Sequence, residues 1–184
     1  TEIKGLSETA KNKIKNLITK SVLDIKYGEG LDIDLEHKDV PADKLVAEPI
    51  TMIGYKTTSV YGYACQIGGL VAKANPKQMQ ALFDYGNYMG FAFQFRDGLL
   101  GAGVAGRDIG KPDDSDIRKG KLEPPHCFAI KNATPEQREI IKKAHGILDA
   151  TSEQIDAYRK VLINSKAVEK TNDLIKSNVS KAID

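Results

Sequence analysis

The residues between Phe93 and Lys121 carry the densest chemistry in the chain. Phe93-Gln94-Phe95-Arg96-Asp97 brings an apolar run to a lone carboxylate, and Gly98, Gly101 and Gly103 follow. Next comes Gly110-Lys111-Pro112-Asp113-Asp114-Ser115-Asp116, closed by Gly120-Lys121. Flexible backbone, two separated ammonium groups and carboxylates, in that order, suit a lid over a phosphate-bearing ligand. Composition alone ranks a solvated polar loop ahead of that reading, with Asp113 and Asp114 in water.

A further cation lies upstream. Lys56-Thr57-Thr58 interrupts an apolar stretch that includes Met52, Ile53, Val60, Ile67 and Leu70. Two readings stand: a lysine snorkelling at a helix edge, or a cation and a hydroxyl facing an interior anion. Earlier still, Gly28-Glu29-Gly30-Leu31-Asp32-Ile33-Asp34 reads as a turn with solvated carboxylates. Cys65 and Cys127 are far apart and form no CxxC pair, so free buried thiols in a reducing cytosol are expected. His37, His126 and His145 have no HExxH-like partner and are not read as ligands or bases.

These groups must be positioned by helices. Residues 3–27 carry Ile3, Leu6, Ala10, Ile14, Leu17, Ile18, Val22 and Ile25 at helical spacing, and Gly28 and Gly30 are expected to stop that helix. Asp39 to Pro49 reads as a loop. The stretch after Ile50 holds Gly54, Gly62, Gly68 and Gly69, which implies close helix packing or several short pieces. Asn75-Pro76-Lys77-Gln78 and Thr134-Pro135-Glu136-Gln137 are helix starts, each with a cap, an N1 proline and an N3 glutamine. The first helix runs through Asp97 and the second through Ile147 and Leu148. Thr151 to Gln154 opens another, and Val168 to Ile183 forms a last amphipathic one. No segment alternates like a strand. The chain reads as all-α, five to seven helices in one domain over 1–184.

At 184 residues the chain is long enough for a sizeable core, with 41% apolar and 28% charged residues. A net charge of +2, with lysines spread beside acids, gives no case for nucleic acid. No signal peptide is visible, and no apolar run approaches the roughly 18 residues of a membrane helix.

Four of these segments together resemble the trans-isoprenyl diphosphate synthases, the polyprenyl synthetase family. Gly28-Glu29-Gly30-Leu31-Asp32 resembles its GQxxD, Lys56-Thr57 its KT pair, and Phe93 to Asp97 the start of its FQxxDDxxD helix. Gly110-Lys111 through Asp116 to Gly120-Lys121 resembles its GKxxxxD…GK lid. The resemblance covers the second half of the family fold only, a C-terminal half of an isoprenoid-synthase-like bundle. It implies head-to-tail condensation of an allylic diphosphate with isopentenyl diphosphate, with Mg2+ on the leaving diphosphate. By position it implies that Lys56, Gln94, Lys111 and Lys121 contact diphosphate, with Lys56, Thr57 and Asp97 catalytic. Asp97 is the remaining metal carboxylate, and Asp32 matches the acid of GQxxD.

The departures are specific. Where the second motif reads DDxxD, this chain has Asp97-Gly98-Leu99-Leu100-Gly101, so Gly101 replaces the acid that shares a helix face with Asp97. One carboxylate is a poor site for a divalent metal, and the glycines are expected to loosen the helix end. Glu29 replaces glutamine, and Gly120-Lys121-Leu122-Glu123-Pro124-Pro125 departs from GKxTLP. The first aspartate-rich motif is not in this sequence. An incomplete bundle leaves an apolar face to be covered, so a homodimer or a second chain supplying the other half is expected. The chain alone is expected to be a weak or inactive prenyltransferase. The alternative is a catalytically impaired regulatory or diphosphate- or prenyl-binding partner of an active synthase, and a third is a helical scaffold. The location expected is cytoplasmic.

Overall fold

A computed structural model of the chain describes residues 5–37, 40–105 and 114–184. Ile3, Asp39, Gly110, Lys111 and Asp113 lie outside the described residues, as does the side chain of His37. Among the described residues the chain is all-α, without strands. Among the described residues nine α-helices form: α1 (Glu8–His37), α2 (Ala47–Ile53), α3 (Ser59–Val71), α4 (Pro76–Gly101), α5 (Ser115–Lys119), α6 (Pro124–Asn132), α7 (Pro135–Lys142), α8 (Ser152–Asn164) and α9 (Ala167–Ile183). That exceeds the five to seven expected, because the segments around the lid and after Ile50 break into short pieces. None is long and apolar enough to cross a membrane.

The first helix corrects the sequence reading most. It does not stop at Gly28 but continues to His37, so residues 28–34 are helix and not turn. Gly28 is retained there for proximity. A Cβ would overlap the backbone nitrogen of Lys56, so only glycine lets the next segment pack directly on α1.

That next segment is a π-helical turn, Gly54–Thr58, joining α2 to α3 without a break. Such wide turns cluster at functional sites because they re-aim side chains. Both expectations for this stretch therefore hold in part: it is several pieces, and it is closely packed. Gly62 lies under the Phe83 ring and Gly86 under the Tyr61 carbonyl, which brings α3 and α4 together.

The capped starts fall where the sequence places them. Asn75, Thr134 and Thr151 each accept from the N3 backbone, and the N3 glutamine side chain returns a bond to the cap. α7 stops at Lys142, before Ile147 and Leu148, and the chain turns through Gly146 at φ +79°. α4 runs on to Gly101, and its end is not loosened as the glycines suggested. Gly98 is buried against Glu123, so packing fixes what propensity does not.

α4 lies between α3 and α9 and packs on both. One core cluster, around Ile117, Ile155, Tyr158 and Leu162, joins the later helices. The other, with Leu35, Met52, Ile53, Phe95, Leu122 and Cys127, backs the polar residues described next. α1 leaves Ile18, Val22, Leu23, Tyr27 and Ile33 exposed, beside exposed Tyr55. Cys127 is a buried free thiol, while Cys65 is only half-buried.

Candidate functional site

Residues 28, 32 and 36 recur every four positions and share one face of α1. At Gly28 the helix touches the π-helical turn, and one turn later Asp32 is buried, 3% exposed. Its Oδ2 accepts from Lys56 Nζ at 2.6 Å and from Lys121 Nζ at 2.5 Å. Lys56 also pairs with Glu29 at 2.8 Å, and Lys121 with Glu36. Lys56 is thus turned to an interior anion, the second of its two readings, and Asp32 is no solvated turn residue.

The electrostatics follow from that geometry. Burial alone would raise the Asp32 carboxyl, but the bonds from Lys121 and Lys56 outweigh it and hold the group below the usual carboxylate range. Burial would lower both lysines. Asp32 and Glu29 keep Lys56 above its ordinary value, and Asp32 and Glu36 do the same for Lys121.

A second polar chain runs beside the first. Thr57 Oγ1 donates to Gln94 Oε1 at 3.0 Å, which orients the amide. Gln94 Nε2 then donates to Asp97 Oδ2 at 3.3 Å and to Glu123 Oε1 at 3.2 Å. Glu123 is buried, and its Oε2 has no hydrogen-bond partner among the described residues. Burial, then Asp116, Asp32 and Asp97, push its pKa up to about 8.

Both chains line one cavity of about 220 Å3, with Met52 and Ile53 behind it and Asp116 reaching it from α5. So Lys56, Thr57, Gln94, Asp97 and Lys121, distant in sequence, come together, while Lys111 lies outside the described residues. The Lys121 segment is held from behind. His145 Nε2 lies 3.1 Å from the Lys121 carbonyl, and its ring packs tilted beside His126 and edge-on to Tyr158. Asp114 does not stand free in water: it pairs with Arg118 at 2.9 Å.

Four residues of this site went unread as site residues in the sequence: Asp32, Glu36, Asp116 and Glu123. The four-residue spacing of Gly28, Asp32 and Glu36 was the available signal for the first two. Glu123 occupies the threonine position of GKxTLP, and that departure from the pattern is the signal for it.

The metal expectation needs its own accounting. Gly98 and Gly101 face the cavity wall where the second motif's other acids belong. A Cβ at Gly98 would lie 3.1 Å from Glu123 Cβ, and one at Gly101 would overlap the Asp116 carboxylate. Among the described residues no group of three or more His, Cys, Asp or Glu side chains is placed to cage a metal ion. What is offered is a pair of carboxylates, Asp97 and Glu123, on either side of one amide.

The bundle is the all-α fold of the isoprenoid synthases. It superposes with TM-score 0.81 and 29% identity on a polyprenyl synthase from Caulobacter crescentus, a structure complexed with calcium and isoprenyl diphosphate, covering 92% of this chain and 51% of that one. The chain belongs to the polyprenyl synthetase family, whose model matches residues 2–162. It is 29% identical to geranylgeranyl diphosphate synthase of Sulfolobus acidocaldarius, over 83% of this chain and 46% of that protein. Octaprenyl diphosphate synthase of Escherichia coli is 31% identical, over 72% of this chain and 40% of the enzyme. The chain thus spans about half the length of the curated relatives it matches, or less.

Proposed function

We propose that this polypeptide is the diphosphate-holding half of a prenyl diphosphate synthase that condenses an allylic diphosphate head-to-tail with isopentenyl diphosphate. The observation that carries this reading is the convergence of Lys56, Thr57, Gln94, Asp97 and Lys121 on one cavity. As the allylic C–O bond breaks, negative charge gathers on the leaving diphosphate. Fixed ammonium groups stabilise it without reorganising, and Asp32 is what fixes Lys56 and Lys121. Thr57 orients Gln94, whose amide nitrogen adds a neutral donor. Lys111, which lies in the same motif as Asp116 in the sequence, joins them by the family pattern. Mg2+ would neutralise the same oxygens.

The other half of the reaction cavity comes from a second chain or a second copy. The exposed apolar residues of α1 support this, because so many on one helix call for a cover. Two free cysteines fit a cytoplasmic site of action. The test is turnover of radiolabelled isopentenyl diphosphate with an allylic primer. The chain is assayed alone and mixed with a chain carrying an intact first aspartate-rich motif. Product in the mixture, with little from the chain alone, is expected; no product in either removes the reading.

Gly98 and Gly101 favour a second reading, a catalytically impaired partner that binds diphosphate or prenyl ligand and modulates an active synthase. Pyrophosphate binding without turnover in any mixture selects it. Absent binding, with Lys56→Ala and Lys121→Ala both silent, leaves a helical scaffold.

A further inference from the structure

Among the described residues that line the cavity, carboxyl groups outnumber ammonium groups. Asp32, Asp97, Asp116 and Glu123 line it against Lys56 and Lys121. Both lysines are already shared with acids, Glu29 and Glu36 as well as Asp32. A diphosphate brings further negative charge and needs a companion cation to enter. Mg2+ ordinarily takes only one or two carboxylates from the protein and completes its shell with phosphate oxygens and water. A three-acid cage is therefore not required, but the lone Asp97 left in the degenerate motif is too little.

Glu123 supplies what is missing. It is buried, it lines the cavity, and its Oε2 has no hydrogen-bond partner among the described residues, a costly state for an ionised carboxylate. A Cβ at position 98 would lie 3.1 Å from the Glu123 Cβ, so the glycine there leaves Glu123 its room. The Gln94 amide nitrogen lies between Glu123 Oε1 and Asp97 Oδ2, a weak neutral donor bridging two carboxylates. We propose that Glu123 is the second protein ligand, with Asp97, of a divalent cation, and that it replaces the acids absent at 98 and 101 from a different element of the fold. A divalent cation held by Asp97 and Glu123 would take the place of the Gln94 amide nitrogen between the two carboxylates and would supply the positive charge that a diphosphate needs. This rests on the diphosphate reading for the remainder of the metal's shell, though not for the two carboxylates.

The test is Mn2+ binding, followed by electron paramagnetic resonance on the full chain, with and without inorganic pyrophosphate. The wild type is expected to bind Mn2+ at submillimolar to millimolar concentration, more tightly with pyrophosphate present. Glu123→Gln is expected to weaken Mn2+ at least tenfold in both conditions. It keeps the fold, as its thermal melt checks, and loses only the charge. No Mn2+ bound by the wild type in either condition, or unchanged affinity in Glu123→Gln, overturns the proposal. Glu123-dependent Mn2+ binding with no pyrophosphate effect upholds this site and counts instead against the diphosphate reading.

Discussion

Gly28 of α1 lies directly on the backbone of Lys56, with no side chain between them. A Cβ there would overlap the Lys56 nitrogen and lie 2.7 Å from its Cα, and neither can yield without moving the π-helical turn. Gly30, two residues on, faces nothing within 4 Å. The two glycines therefore respond oppositely to alanine. Gly28→Ala is expected to destabilise by about 1–3 kcal/mol through overpacking, and to shift Lys56. Gly30→Ala is expected to stabilise by up to about 1 kcal/mol through helix propensity. Urea midpoints followed by circular dichroism check both, and equal effects at the two positions would refute the close-approach account.

Asp32 ties α1 to the turn and to the segment after α5 through one oxygen. Its carboxyl is held below its ordinary range in the folded chain, so its stabilisation is present above the unfolded value and lost as pH falls through the lower folded one. Asp32→Asn is expected to cost about 2–3 kcal/mol at neutral pH, the scale of hydrogen bonds to charged groups. The same variant should lose less than the wild type between pH 5 and pH 3. Urea titrations at those pH values decide it; parallel losses would mean that other acids carry the acid limb.

What the sequence made legible was local. Asn75, Thr134 and Thr151 announced their helices because a cap and an N3 glutamine, joined at Asn75 and Thr134 by an N1 proline, act within four residues. Lys56, Thr57, Gln94, Asp97 and Lys121 were legible as candidates through motif order, yet nothing local said which way Lys56 points. That depends on Asp32, which was misread because Gly28 and Gly30 look like stop signals in isolation. The tertiary contact with Lys56 overrides their poor propensity. Glu123 was the hardest, since its meaning lies in Gly98, far away in sequence and adjacent only after folding.

Glu123 should also leave a mark on stability. Burial and the acids around it raise its carboxyl from 4.5 to about 8. The folded chain therefore holds this proton more tightly than the unfolded one. Its contribution is complete below the unfolded value and is lost as pH rises through about 8. In buffer containing chelator, the wild type is expected to lose about 2–4 kcal/mol from this group between pH 5 and pH 9. Glu123→Gln should be nearly flat over that range and more stable than wild type at pH 9. Thermal melts across the series check this, and a wild-type profile as flat as the variant's would remove the buried-acid account.

The last prediction concerns the support behind Lys121. Tyr158 and His126 are both fully buried, and the Tyr158 hydroxyl lies 3.0 Å from His126 Nδ1. Burial, then the neighbouring His145, holds the His126 pKa well below its ordinary value, so the ring is neutral in the fold. Its Nε2 has no hydrogen-bond partner among the described residues, which leaves the phenol as its anchor. Tyr158→Phe strands the second ring nitrogen in an apolar core and is expected to cost about 1–3 kcal/mol. Replacing both partners, with His126→Phe added, removes the stranded atom and should cost less than Tyr158→Phe alone. The histidine variant should also lose part of the acid sensitivity below about pH 6.5, where the unfolded histidine takes up a proton and the folded one does not. A double-mutant cycle by urea denaturation at pH 7 and pH 5 measures each of these terms. Additive losses at pH 7 would mean that the phenol and the imidazole stabilise the core independently.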